Sequence, residues 1–196
     1  MLNPGKQARH GARAAQLLSP QQERELLRDQ ARKAEQEVMG VQMASMDALT
    51  LLSNRHGVLT LAQLGLDACQ RLGTPATLLF FDLDNFKRIN YLYGRAEGDA
   101  ALKTFADVLR IAFRENDVVG RLGDDEFVVL LTGSGAVERS AIKARLEEIL
   151  DERKATMRRA HEIRFSIGQI EYDPALHGSI AGLLARADAV TWQTTG

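Results

Sequence analysis

The run Ala76-Thr-Leu-Leu-Phe-Phe-Asp82 constrains this chain more than any other segment: uncharged, mostly apolar, and ended by an aspartate. A strand with one wet face alternates apolar and polar residues, whereas a continuous apolar run belongs to a strand covered on both faces. Such a strand needs a helical layer above and below it, and helical patterns flank it in sequence. A helix is predicted over residues 55–72, ended by Gly73 as a C-cap and followed by Pro75. A second, over 98–113, places Leu102, Phe105, Ala106 and Leu109 on one face. Residues 118–122 and 126–131 read as strands joined by the polar turn Gly123-Asp124-Asp125. A helix over about 137–154 turns Ile142, Leu146, Ile149 and Leu150 inward. Ile163, Phe165 and Ile167 alternate as a strand, and a last helix covers about 179–192. The order is α, β, α, ββ, α, β, α, an α+β pattern.

Ahead of this domain, residues 1–18 read as a poorly ordered tail. Ser19-Pro20-Gln21-Gln22 then reads as a helix start: Ser19 caps, Pro20 suits the first helical position, and Gln22 completes a capping box. The helix continues to about Met46. Leu27, Ala31, Ala34, Val38 and Val41 follow 4-3-4-3 spacing, a seam for another helix, interrupted by Gly40. It serves either as a helix lying on its own domain or as a dimerising stalk. The expected organisation is 1–46 as tail and helical segment and 47–196 as the compact domain.

Composition removes several function classes. A net charge of −1 gives no broad field for a nucleic acid polymer or an anionic lipid surface. No apolar run approaches the roughly 20 residues of a membrane span, and the N-terminal residues lack the apolar stretch of a secretory signal. Cys69 is the single cysteine, so no internal disulfide forms and a reducing, cytoplasmic setting is expected. The four histidines lack metal-ligand spacing.

Two acidic clusters carry the candidate chemistry. Asp82 and Asp84 end the buried strand; Asp124, Asp125 and Glu126 lie on the hairpin. If the strands are neighbours, the carboxylates converge at one sheet edge. Convergent carboxylates hold magnesium, which bridges triphosphate oxygens and neutralises charge during attack on phosphorus. Asp84-Asn85-Phe86-Lys87 reads as a strand leading into a helix, whose N–H groups and Lys87 suit phosphate. The plain alternative is that acids at strand ends and turns are simply solvated.

Phe81-Asp-Leu-Asp-Asn-Phe-Lys-Arg-Ile-Asn90, Gly98-Asp99 and Arg121-Leu-Gly-Asp-Asp-Glu-Phe127 resemble, in order, the signatures of the GGDEF family. Asp47-Ala-Leu-Thr50 with Asn54-Arg55 resembles its entry motif, and Ser166-Ile-Gly168 its late strand. The resemblance covers about residues 47–196. It implies a central mixed, mostly antiparallel five-stranded sheet flanked by helices, a nucleotidyl-cyclase-like palm. It implies a diguanylate cyclase that condenses two GTP into cyclic di-GMP with release of pyrophosphate. Asp82, Asp125 and Glu126 would be the catalytic acids. Magnesium or manganese would be held by Asp82, Asp125 and the Leu83 carbonyl. Phe86, Lys87 and Gly123 would lie at the nucleotide, with Asn90 and Asp99 reading the guanine edge. Arg114 and Asp117 resemble the family's RxxD inhibitory product site, with an ordinary surface ion pair as the plain alternative. Two GTP-loaded domains face each other in the family, so a homodimer is implied, and the N-terminal helix becomes a candidate dimerising or partner-binding element.

The chain also departs from the pattern. Asp124 stands at the second glycine of the hairpin, adding bulk and negative charge near phosphates. Leu51 replaces a usual glycine of the entry motif. Tyr91 follows Asn90 where an aspartate is usual, and Arg95 follows Gly94 where a histidine is usual. Near the C-terminus Ala187-Asp188 matches, but Trp192 and Thr195 stand at the Tyr and Lys positions, and no Arg-Asn follows Gly196. Charge-assisted contacts contribute roughly 1.5–3 kcal/mol each, so triphosphate binding is expected to lean on Lys87, Arg88 and the metal. Three readings follow: a cyclase, a degenerate domain that binds GTP or cyclic di-GMP and signals through protein contacts, and a purely structural dimerisation domain.

Overall fold

The computed structural model describes residues 19–133, 138–157 and 161–191. The expected tail 1–18, Val137, Trp192, Thr195 and Gly196 lie outside them. The chain divides between Val41 and Gln42 into two compact units.

The first unit carries the helix α1 (Pro20–Ala44) up to Val41. Its start is the expected capping box: Ser19 N–H donates to Gln22 Oε1 at 2.9 Å and Gln22 N–H to Ser19 Oγ at 3.3 Å. Leu27, Val38 and Val41 of the seam are exposed.

The second unit contains α2 (Arg55–Leu72), β1 (Ala76–Leu83), α3 (Phe86–Tyr93), α4 (Arg95–Ala112), β2 (Val118–Arg121), β3 (Glu126–Thr132), α5 (Arg139–Met157), β4 (Phe165–Glu171) and α6 (Ile180–Thr191). The short α3 is the helix that Asp84-Asn85-Phe86-Lys87 is expected to lead into, although the element order read from the sequence leaves it out. It is separated from α4 by Gly94 alone, whose φ of 88° breaks the helical path.

The sheet order is β2-β3-β1-β4, with every neighbouring pair antiparallel. β3 lies between β1 and β2, and β1 between β3 and β4, a split βαβ arrangement. Where five strands are expected, the described residues form four. The parallel element is a single bridge, Ser53 to Gly120, on the outer side of β2. Ser53 cannot extend into a strand: Leu51 before it has φ 57°, and Asn54 after it already caps α2, accepting from Gly57 N–H.

Alternation along β1 explains its continuous apolar character. Leu79, Phe81 and Leu83 pack with Leu102, Phe105 and Leu109 of α4 and Leu146 and Leu150 of α5. Leu78 and Phe80 face the other way, onto Val58, Ala62 and Leu66 of α2 and Leu183 and Leu184 of α6. Phe81 is fully buried, with ring centroids of Phe105, Phe165 and Phe113 at 5.9, 6.0 and 6.3 Å. This double burial fixes β1 rigidly, and with it the acids at its end.

Candidate active site

The register places the two acidic clusters together. Asp82 is the Cα partner of Glu126 on β3 and of Ser166 on β4. Side chains directly opposite on antiparallel strands share a face, so the Asp82 and Glu126 carboxylates stand side by side at the sheet's end. The hairpin tip is tied to the same point: Leu83 N–H donates to the Asp125 carbonyl at 3.1 Å. Asp84 is tied from the other side, its N–H donating to the Arg164 carbonyl at 2.9 Å and its carboxylate accepting from Ser166 Oγ at 2.8 Å. Asp82, Asp84, Asp125 and Glu126 are all half-buried, open to a ligand yet held by strands.

Gly123 lies close behind Glu126. A Cβ there would sit 2.7 Å from Glu126 Oε2, so the missing side chain sets where that carboxylate rests. Asp124, at the next position, is exposed, and its φ is not in the left-handed region. The backbone therefore carries an aspartate there without strain, and the substitution acts through charge at the hairpin tip.

After β1 the chain turns into α3 through Asn85 at φ 58°, a left-handed conformation that asparagine tolerates better than most residues. No side chain caps α3, and Arg88 N–H already donates to the Asn85 carbonyl at 2.9 Å, so the Phe86 and Lys87 N–H groups and the exposed Lys87 side chain present donors beside Asp84. Phe86 is buried and anchors that turn in the core. At the far end of α3, half-buried Asn90 reaches the first turn of α4. A Cβ on Gly98 would fall 1.9 Å from Asn90 Oδ1, so the Asn90 amide occupies space that only glycine leaves open. Exposed Asp99 follows directly. Asn90 and Asp99 thus flank one α3–α4 corner.

The hairpin is braced from below. Arg121 Nη1 meets Asp47 Oδ1 at 3.1 Å, and Arg121 Nη2 donates to the Asp124 carbonyl at 2.9 Å. Asp47 also accepts from Thr50 N–H at 2.8 Å and Thr50 Oγ1 at 2.6 Å. Burial pushes the Asp47 carboxyl up, but the Thr50 hydrogen bonds and then Arg121 outweigh it and hold the group below its ordinary value. The entry motif is therefore a clamp on the acidic hairpin.

Among the described residues no three His, Cys, Asp or Glu side chains form a ready metal cage. Two facing carboxylates with carbonyl oxygens nearby do fit a hard cation that completes its shell from phosphate and water, as Mg²⁺ does.

Residues 44–194 match the family described as "Diguanylate cyclase, GGDEF domain". The chain belongs to the GGDEF family. Probable diguanylate cyclase DgcC of Escherichia coli K12 is 33% identical over 134 residues, covering 68% of this chain and 36% of that protein. Cyclic di-GMP phosphodiesterase NbdA of Pseudomonas aeruginosa is 35% identical over 127 residues, 65% of this chain and 16% of that protein. The chain thus spans about a third or less of these relatives. The coiled coil and GGDEF domain of DgcB from Caulobacter crescentus, solved with c-di-GMP, has a TM-score of 0.72 at 26% identity, covering 88% of this chain and 93% of that one. Among the described residues no helix is long and apolar enough to cross a membrane.

A second feature of this GGDEF domain is the Arg114–Asp117 turn between α4 and β2. The two residues do not form an ion pair. Asp117 Oδ2 instead accepts from Arg114 N–H at 3.0 Å, and Asp117 N–H donates to the Arg114 carbonyl at 3.0 Å. Both residues line an open groove of about 880 Å³, shared with Leu51, Leu61, Leu72 and Arg110. The positive φ of Leu51 carries no marker in the sequence beyond the family's preference for glycine there.

Proposed function

We propose that this domain condenses two GTP into cyclic di-GMP with release of pyrophosphate. The observation that carries the reading is the register of Asp82 against Glu126, with the Asp125 carbonyl bound to Leu83 N–H. In this reading Asp82, Asp125 and the Leu83 carbonyl hold Mg²⁺ or Mn²⁺, with Glu126 beside them. The bound ion supplies neutralisation of charge on the phosphate oxygens. The Lys87 side chain and the Phe86 and Lys87 N–H groups at the start of α3 take phosphate, and Gly123 leaves room at the hairpin. Asn90 and Asp99 read guanine: Asp accepts from N1–H and N2–H₂, while Asn both donates and accepts in one plane.

One domain supplies half of a symmetric reaction, in which each 3′-hydroxyl attacks the α-phosphate of the other nucleotide. A homodimer follows from that chemistry. The exposed seam Leu27–Val38–Val41 on α1 supports a partner helix, a second copy in the simplest case. The division into an α1 segment over 1–46 and a GGDEF domain over 47–196, and a cytoplasmic location, belong to the same proposal.

A second reading is favoured by Asp124, exposed at the hairpin tip where the family carries glycine, and by the groove at Arg114. It is a domain that binds cyclic di-GMP without turnover. Incubation of the full chain, stripped of bound product, with GTP and Mg²⁺ separates the two. Cyclic di-GMP formation that is lost in Asp125→Lys establishes the cyclase. No product, with cyclic di-GMP binding that depends on Arg114, establishes the receptor.

A further inference from the structure

His161 precedes β4 and belongs to none of the motifs above, yet its side chain is only 6% exposed. Its ring stacks on Tyr93, with centroids 5.2 Å apart and planes at 26°. Its Nδ1 lies 3.7 Å from Glu97 Oε2. Among the described residues neither ring nitrogen has a hydrogen-bond partner, and neither does the buried Glu97 Oε2. Buried polar atoms without partners are uncommon and call for an explanation.

The two residues it touches explain its place. Tyr93 is the last residue of α3 and Glu97 lies in the first turn of α4. The joint between these helices is Gly94, whose N–H donates to the Asn90 carbonyl at 3.1 Å. His161 therefore touches the chain on both sides of a one-residue hinge. Asn90 lies one turn before Tyr93, and Asp99 two residues after Glu97. The angle at Gly94 sets the distance between the two proposed guanine readers.

We propose that His161 is a positioning residue for base recognition, holding the α3–α4 corner through the Tyr93 stack and the Glu97 approach. The proposal rests on the reading of Asn90 and Asp99 as guanine contacts. The stack fixes the ring by van der Waals contact. The Nδ1–Oε2 gap is about 0.5 Å beyond hydrogen-bond range, so a small closure of the corner on a bound base completes that bond. Binding residues keep their geometry only when supporting contacts lock them in place.

The test measures binding of GTP and of ATP, each with Mg²⁺, to the full chain and to His161→Ala, His161→Phe and Glu97→Ala, with thermal melts alongside. His161→Ala is expected to reduce the GTP-over-ATP preference about tenfold or more, a change of about 1.4 kcal/mol, by weakening GTP while leaving ATP unchanged. His161→Phe, which keeps a ring on Tyr93 but cannot bond Glu97, is expected to lose the preference as far as Glu97→Ala does. An unchanged preference in His161→Ala, or equal loss of both nucleotides, overturns the proposal. If His161→Ala does not fold, Glu97→Ala carries the same expectation and the same overturning result. A wild-type chain without GTP preference overturns the guanine reading itself, and that outcome is visible before any variant is made.

Discussion

Arg121 and Asp47 meet at 3.1 Å although 74 residues separate them in sequence. Both side chains are mostly buried, at 13% and 23% exposure. The pair joins the turn that follows α1 to the strand that enters the acidic hairpin, and Arg121 passes the restraint on by binding the Asp124 carbonyl.

The first prediction concerns this clamp and pH. Asp47 is held below its ordinary value of 3.8, so the folded state binds its proton less readily than the unfolded chain. The clamp's contribution is fully present above 3.8 and is lost as pH falls through the lower folded-state value. Asp47→Asn is expected to lower the neutral-pH melting temperature and to flatten its dependence on pH below about 4. Melts from pH 2 to 7 check this; an unchanged acid limb contradicts it.

Arg121→Ala is expected to destabilise the domain by about 2 kcal/mol, the loss typical of hydrogen bonds to charged groups. It should also weaken GTP binding with Mg²⁺, because the hairpin acids lose their brace. Chemical denaturation and titration calorimetry read the two effects separately.

Leu51 holds φ 57° with its side chain exposed. A left-handed conformation costs an L-residue roughly 1–2 kcal/mol, and glycine gives part of that back through unfolded-chain entropy. Leu51→Gly is expected to stabilise by about 0.5–1 kcal/mol, a rise of a few degrees in Tm. A lower Tm would show that Leu51 makes a stabilising contact.

Gly98→Ala places a Cβ where Asn90 Oδ1 now sits, 1.9 Å away. The Asn90 amide must swing out, so GTP affinity is expected to fall by about tenfold or more while the sheet and its core persist. Circular dichroism and nucleotide titration together decide it.

The two proposed sites differ in their need for metal. Chelation of divalent cations is expected to weaken GTP binding and leave cyclic di-GMP binding at the Arg114 groove unchanged. Asp124→Gly, which removes a negative charge at the hairpin tip, is expected to raise GTP affinity at low salt, with the gain shrinking as salt rises. Affinity that falls would place Asp124 in a supporting role at the nucleotide, and unchanged affinity would remove its charge from the account.

The helices and strands were legible because each carries a period or a cap. The capping box at Ser19, the Gly73 stop and the double burial of β1 are local facts written in local sequence. The start of α3 was legible at Asp84–Lys87, but its end was not: α4 begins one residue later, at Arg95, and only the φ of Gly94 divides the two helices. Among the described residues no fifth strand forms at Ser53, since the Leu51 turn and the Asn54 cap leave it room for one bridge.

The sequence by itself determined which groups are present: the acids Asp82, Asp125 and Glu126, the phosphate lysine Lys87, and the candidate base readers Asn90 and Asp99. It determined their family through the order of those motifs. Only the tertiary structure decided which groups meet. That Asp82 faces Glu126 follows from strand register, that Asp47 clamps Arg121 from a contact across 74 residues, and that Gly98 must be bare from the approach of Asn90. His161 had no signal in the chain at all, since its place at the α3–α4 corner comes from β4 pairing with β1. Local interactions are written in adjacent residues; contacts between distant segments exist only once the core has brought those segments together.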